Sequence, residues 1–307
     1  MNIKLKLPEG YLEEEERCGY TISAEMKKVW AVELDLLAEL DRVCKKHHLQ
    51  YLATGGTLLG AVRHHGYIPW DDDIDLMMSR DDYEKLCKIA SQEFEHPYFF
   101  QTEYTDPGSL RGHAQLRNSD TTGMMSWEAK NTTINQGIFI DIFPLDVVTD
   151  DEEKLQEQIK TAIHYREKML DCFGKEYRYY HKGKTLKRTI GHVAMKLQGK
   201  NADYHELYKK YEAECMKYNC EESKYCSLFS FQPDNPKHYK FREDLGDVME
   251  VPFEMLKMPI TKEYDRVLTL QYGDWHTFQV GGSIHDGLIF DTEIGYKEYL
   301  ATHEIED

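Results

Sequence analysis

Residues 52–78, LATGGTLLGAVRHHGYIPWDDDIDLMM, gather the chemistry-bearing residue types of this chain into one stretch. Gly55 and Gly56 fall between a strand-like run, LQYLAT, and a helix-like run, TLLGAVRHHG. At such a turn the N–H groups that open the helix lack partners and can approach a phosphate closely. Thr57 adds a hydroxyl at the same place. Further on, Asp73 and Asp75 lie two apart in DIDLMM, which alternates as a strand. Period-two geometry puts both carboxylates on one face and turns Ile74 and Leu76 toward the core. Like charges that close repel unless a cation sits between them, so the pattern points to a divalent metal.

A third carboxylate is expected on a neighbouring strand, and GIFIDIFPLD (137–146) offers one. Asp141 stands between Ile140 and Ile142 in a run that must be buried on at least one face. A lone buried charge is very costly, and metal ligation would supply the partner. Asp146, just after Pro144, suits a turn or a cap instead. The acidic run also matches positions 1, 3 and 5 of a calcium-binding loop at Asp71, Asp73 and Asp75, with Asp82 at position 12. That match fails at Leu76, where the loop needs glycine, and at Asp82, where the usual residue is Glu.

The elements that must position these groups are legible around them. Ser23 can cap a helix to about His47, with Met26, Trp30, Leu37, Leu40 and Cys44 on one face. Ser79 with Asp82 resembles a capping box that opens a helix to about Phe94. Strands follow over roughly 98–142, and beyond Pro144 the pattern turns helical, at 151–172, 185–198 and 202–219. The last carries a stripe of Tyr204, Leu207, Tyr208, Tyr211, Cys215 and Tyr218, which suits packing. A loop with Pro233, Pro236, Pro252 and Pro259 then leads to a helix near 262–272 and a polar tail. The fold class is therefore α+β, a small mixed sheet flanked by helices, with additional C-terminal helices. Residues 1–150 would form the catalytic core and 151–307 a mainly helical region completing the site.

The chain has 307 residues, 38 Lys+Arg against 55 Asp+Glu, and a formal net charge of −17. With 41% hydrophobic and 12% aromatic residues it has ample material for a core, so wholesale disorder is excluded. Its acidity argues against a nucleic-acid binder, which needs a basic surface. It leaves a nucleotide substrate open, because a metal can supply the missing positive charge. No stretch matches an integral membrane span, and the N-terminus has no apolar signal region. Seven cysteines in an odd set are expected as reduced thiols of a cytoplasmic protein.

GGTLLGAVRHHGYIPWDDDIDL, GIFIDIFPLD and YDRVLTLQYGDW (264–275) together resemble the three blocks of the LicD family, over about residues 25–275. The resemblance implies a nucleotidyltransferase-type fold and a transferase. It would move a phospho-alcohol such as phosphocholine from a CDP-linked donor, CDP-choline for example, to a glycan hydroxyl of lipopolysaccharide or teichoic acid. It implies Mg²⁺ or Mn²⁺ on Asp73, Asp75 and Asp141, the last also a general base, with Asp71 a further ligand or base. Action at the inner face of the membrane, as a peripheral contact, would follow. Beyond YGDW the chain departs from the family's usual Leu-Pro-Pro continuation. Cys215, Cys220 and Cys226 lack the close pairs of a zinc cluster.

Around that core, Arg63 suits a phosphate contact and Arg117 a second phosphate clamp, since a guanidinium fork matches two oxygens. His64 and His65 point in different directions, so one of them could reach the substrate, or both could be packed or solvated. Trp70 could stack on a base or a quaternary ammonium, or pack behind Pro69. His285 reaches the site only if the tail folds back. Two other readings use the same parts: a nucleotidyltransferase that takes CTP or ATP and releases pyrophosphate, and a non-catalytic metal- or nucleotide-binding module.

Overall fold

The computed structural model describes residues 1–125, 129, 133–173, 190, 193, 204–279 and 288–305. Of the expected helix at 185–198 only residues 190 and 193 are described, and His285 lies outside the described residues. A short antiparallel pair, β1 (Glu15–Arg17) and β2 (Tyr20–Ile22), leads into α1 (Ala24–His47). Ser23 Oγ accepts the Met26 N–H at 3.1 Å, and Lys45, Lys46 and His47 complement the negative end of the helix. β3 (Tyr51–Ala53) is followed directly by α2 (Gly55–Arg63), so the two glycines form the first turn of the helix. β4 (Asp75–Ser79) then leads to α3 (Arg80–Glu93), where Ser79 Oγ accepts the Asp82 N–H at 3.2 Å.

β5 (Tyr98–Gln101), β6 (Ala114–Asn118), β7 (Thr122–Met125) and the long β8 (Ile138–Val148) come next. Then follow α4 (Glu152–Phe173), α5 (Tyr204–Cys215), β9 (Tyr225–Ser227) and β10 (Tyr239–Phe241). β11 (Val248–Phe253) and β12 (Leu256–Thr261) make a hairpin. α6 (Tyr264–Tyr272), β13 (Leu288–Asp291) and α7 (Tyr296–Thr302) close the order. The class is thus mixed α+β, built on a seven-stranded sheet. β8 is its centre: it pairs in parallel with β4 on one edge, and antiparallel with β6 and then β9 on the other.

Alternation along β8 decides the faces. Ile138, Ile140 and Ile142 join Leu76 and Met78 in the main core, under Trp30, Leu34, Leu37 and Leu40 of α1. Asp141, Phe143 and Leu145 turn to the other side, with Met77. Phe143, Leu145 and Met77 pack there with Leu52, Cys226 and Leu228. The tyrosine stripe of α5 packs as expected, with Tyr208, Tyr211 and Cys215 buried against α4 residues Ile159, Ala162 and Met169. All seven cysteines are free, and no described helix is long and apolar enough to cross a membrane.

Several expectations are corrected. Asp73 precedes β4, so its proximity to Asp75 does not come from strand alternation. β8 does not end at Pro144. The Asp141 N–H bonds Ile74 O at 2.9 Å toward β4, so period two aims position 144 at the opposite edge. There β6 has ended opposite Ile142 and β9 begins opposite Asp146, so a missing N–H costs nothing. The proline-rich stretch and the polar tail also form structure. Pro252 and Pro259 sit in the isolated β11–β12 hairpin, whose outer edges need no donor, and β13 pairs with β7.

Asp146 is accordingly a buried strand residue and not a cap. It is fully buried and takes a two-pronged ion pair from Arg80, Nε to Oδ1 at 2.8 Å and Nη2 to Oδ2 at 2.6 Å, with Asn219 Nδ2 on Oδ1 at 2.9 Å. Removing one partner strands the other charge in the interior. Arg80→Ala should therefore cost about 3–5 kcal/mol. The paired change Arg80→Met with Asp146→Leu should cost less than either single change. Urea unfolding of the three variants checks this, and additive losses would contradict it.

Candidate active site

The centre of the site is a register fact: Asp75 of β4 stands opposite Asp141 of β8. Adjacent strands lie about 4.8 Å apart, so the two side chains leave one face of the sheet as close neighbours. Each is held from behind. Thr57 Oγ1 accepts the Asp75 N–H at 2.8 Å, and the Thr54 N–H bonds Asp75 O at 3.1 Å. Gln115 Nε2 and His113 Nε2 both reach Asp141 Oδ1, at 2.7 and 3.0 Å. Both bonds fall on one oxygen, which leaves Oδ2 for the cleft.

Against this pair lies the glycine turn. Gly55 has φ +57°, a left-handed conformation that costs an L-residue about 1–2 kcal/mol. A methyl group there would sit 3.1 Å from Asp75 Oδ2, and one on Gly56 would sit 2.7 Å from Asp71 Oδ2. Glycine is therefore what lets the carboxylates come up against the start of α2. Thr54, the N-cap, makes no side-chain cap bond. Asp71, Asp72 and Asp73 place ligand oxygens within 4.8 Å of one another. Trp30 Nε1 donates to Asp71 O at 3.0 Å and stacks on Tyr67 at 4.3 Å, so α1 holds the acidic loop from the core side.

The electrostatics follow from this crowding. Burial, then Asp73, Asp141 and Asp71, push the Asp75 carboxyl well above the usual carboxylate range. Burial also works to raise Asp141, but His113 and the bonds from His113 and Gln115 hold it below its ordinary value. Burial lowers His113, and Asp141 only partly opposes that. The pair thus rests as a neutral imidazole donating from Nε2 to an ionised carboxylate. Burial and then Asp75, Asp71 and Asp73 raise the Tyr272 phenol, which places its hydroxyl in the same acidic field.

A cleft of about 710 Å³ opens over these groups. Gly55, Gly56, Arg63, Trp70, Asp71, Asp73, Asp75 and Asp141 all line it. Arg63 donates to Trp275 O at 3.0 Å, which ties α2 to the segment after α6. Three expected contacts lie elsewhere. Thr57 is buried and spends its hydroxyl on β4. His64 caps the end of α2, where it accepts from Arg63 Nε at 3.0 Å and packs edge-on to Phe278. Burial, then Arg63, push its imidazole down to about 4. Arg117 is fully buried and does not line the cleft; it bonds Gln101, Gly137 O and Gln115. It acts behind the site by fixing Gln115, which in turn fixes Asp141.

Sequence reasoning passed over Arg111, His113, Gln115 and Arg166, together with Tyr272, Asp274 and Trp275 of the third block, all of which line the cleft. A signal for two of them was present. HAQLR alternates, so His113 and Gln115 share the face of Arg117, and a polar face inside a buried strand marks a site. Arg166 comes from α4 and carried no such signal.

Residues 48–178 match the family described as LicD/FKTN/FKRP, nucleotidyltransferase domain. The chain is 27% identical over 253 residues to the lipopolysaccharide cholinephosphotransferase LicD of Haemophilus influenzae, covering 79% of this chain and 88% of that protein. Shorter matches join it to uncharacterized proteins of Rickettsia prowazekii, 39% identical over 70 residues, and Rickettsia typhi, 43% over 57 residues. These two cover 23% and 19% of this chain, and 24% and 18% of those proteins.

A carboxyl whose pKa rises on folding binds more protons in the folded state, so metal-free stability falls as pH climbs from the ordinary carboxylate range through the raised value. Asp75→Asn removes that penalty. In chelator-treated protein the Asn variant should be the more stable at pH 8, with the gap closing toward pH 4. Denaturant unfolding across that range measures it, and a gap independent of pH would refute the crowding described above.

Proposed function

We propose that this chain, a member of the LicD family through residues 48–178, moves a phosphocholine-like phospho-alcohol from a CDP-linked donor to a glycan hydroxyl and releases CMP. The observation that carries the reading is the in-register pair Asp75 and Asp141 set against the Gly55-Gly56 turn. The similarity to a lipopolysaccharide cholinephosphotransferase supports a phosphocholine-like group and a glycan acceptor.

The residues fit a hard divalent cation, Mg²⁺ or Mn²⁺. The donor set is all carboxylate oxygen, Asp141 keeps Oδ2 toward the cleft, and crowding drives Asp75 toward protonation when no cation neutralises it. Asp71, Asp73, Asp75 and Asp141 would hold the ion, which when bound neutralises charge on the donor pyrophosphate and the departing CMP. The protein's own groups do the rest. The uncapped first turn of α2 offers N–H groups to phosphate oxygens, and Arg63 adds a guanidinium on the same side. Arg111 and Arg166 face the cleft from the other wall. Asp141, held ionised, orients the acceptor hydroxyl and takes its proton as the oxygen attacks the distal phosphorus and the bond to CMP breaks. Trp70 and Tyr272 present rings beside the carboxylates, where a trimethylammonium group is attracted by both.

Thermal unfolding with CDP-choline, CDP-ribitol, CDP-glycerol, CTP and ATP, each with and without Mn²⁺, tests the donor. A ligand at about 100 times its Kd adds about 2.7 kcal/mol, a shift of several degrees. The expected result is a Mn²⁺-dependent shift with one CDP-alcohol, absent in Asp73→Asn, and CMP as product. A shift with CTP or ATP alone, with pyrophosphate released, would replace this reading by nucleotidyl transfer.

A further inference from the structure

We propose that the wall of the cleft beyond Asp141, built from His113, Phe143, Ser230, Phe231 and His238, is a subsite for the sugar ring of the acceptor. The inference rests on the transferase reading above and deepens it.

The strand order sets the polarity of the site. The glycine turn follows β3, and from there the order β3, β4, β8, β6 brings Asp75, then Asp141, then Gln115 with His113. The N–H groups suited to phosphate therefore lie at one end, and the β6 wall lies at the other, with the carboxylates between. In-line displacement needs the nucleophile and the leaving group on opposite sides of phosphorus. A donor phosphate anchored at the glycine turn leaves the β6 side to the attacking hydroxyl.

The chemistry of that wall suits a polyol. Asp141 can only accept from His113 Nε2, so the proton sits on Nε2 and His113 Nδ1 is a bare lone pair. His238 makes the same arrangement with Gln232 Oε1 at 3.2 Å. His113 Nδ1, His238 Nδ1 and Ser230 Oγ are all buried and have no hydrogen-bond partner among the described residues. A buried polar atom in that condition costs about 1–3 kcal/mol, and the three residues that carry these atoms line this cleft. Two are acceptors seeking a donor, and the third is a hydroxyl. Phe231 stands between them, its ring centroid 5.6 Å from His113, 5.5 Å from His238 and 5.0 Å from Phe143.

A pyranose brings hydroxyl donors and an apolar face to pack on such rings. A trimethylammonium group has no N–H or O–H to donate, and a cytosine has one donor group, its N4 amine, beside N3 and O2 lone pairs that would oppose those of the histidines. The segment is also held in place. Tyr211 donates to Ser230 O, and Arg166 Nη1 donates to Phe231 O at 2.7 Å.

Saturation-transfer NMR on the full chain tests this with methyl β-glucopyranoside, methyl β-galactopyranoside and methyl N-acetyl-β-glucosaminide, and with cytidine. Wild type should saturate at least one glycoside. That signal should fall about tenfold in Phe231→Ala and at least threefold in Ser230→Ala, the smaller change guarding against a folding defect in the first. Circular dichroism and unliganded unfolding midpoints check that both variants fold. No saturation of any glycoside by wild type, or signals unchanged in both variants, overturns the proposal. So does cytidine saturation that depends on Phe231. A wild type that binds a glycoside through Phe231 but is shifted by no CDP-alcohol keeps the subsite and removes the donor assignment.

Discussion

Two carboxylates set opposite each other on hydrogen-bonded parallel strands are an arrangement that folding alone would avoid. Asp75 and Asp141 stand in that relation, with Asp71 and Asp73 close enough to add to the repulsion. The surroundings treat the two differently. Asp141 receives two hydrogen bonds on Oδ1 and stays ionised, whereas Asp75 has its backbone anchored and its side chain left in the acidic field. Solvation cannot relieve it fully, because the sheet, α2 and the acidic loop close around it. Many of the other contacts near the site hold this unfavourable geometry in place.

Those contacts reach far into the molecule. Trp30, in the second turn of α1, holds the Asp71 carbonyl while stacking on Tyr67, whose hydroxyl donates to the buried Glu33. Arg117 fixes Gln115 from within the sheet. On the far side, Arg80 and Asp146 pin the start of α3 to the end of β8, beyond the point where Pro144 interrupts the edge. Tyr208 and Tyr211 of α5 donate to the carbonyls of Arg111 and Ser230, so a stripe that packs as core also sets two segments of the cleft wall. In a close-packed interior such links transmit position faithfully.

The division of labour along the chain is uneven. Residues 54–75 supply the glycine turn and most of the acidic groups, β6 and β8 supply the opposite carboxylate and its supports, and residues after 151 supply the outer wall. β9 and β10 extend the sheet that β3 and β4 begin. The segment after α6 returns to α2 through the bond from Arg63 to Trp275 O. The cleft is therefore a product of the chain's return path as much as of its acidic stretch.

Much of this was legible in the sequence where the signal is local. The caps at Ser23 and Ser79, the helices they open, the glycine turn and the buried strand around Asp141 all follow from neighbouring residues and short periodicities. Local signals misled where a partner strand decided the outcome. Pro144 reads as a strand end until β6 and β9 are seen to leave a gap beside it, and Asp146 reads as a cap until Arg80 arrives. Asp73 reads as a strand residue until the strand is seen to start at Asp75, so the facing carboxylates are Asp75 and Asp141, sixty-six positions apart. Arg117 carries the right residue type for a phosphate clamp and lies on the site side of β6, but it is fully buried and spent on Gln101, Gly137 O and Gln115. The sequence by itself determined which groups could do the chemistry, because residue type and local backbone preference are properties of a short segment. Only the tertiary structure decided which of them meet, because register between distant strands is set by the packing of the whole sheet.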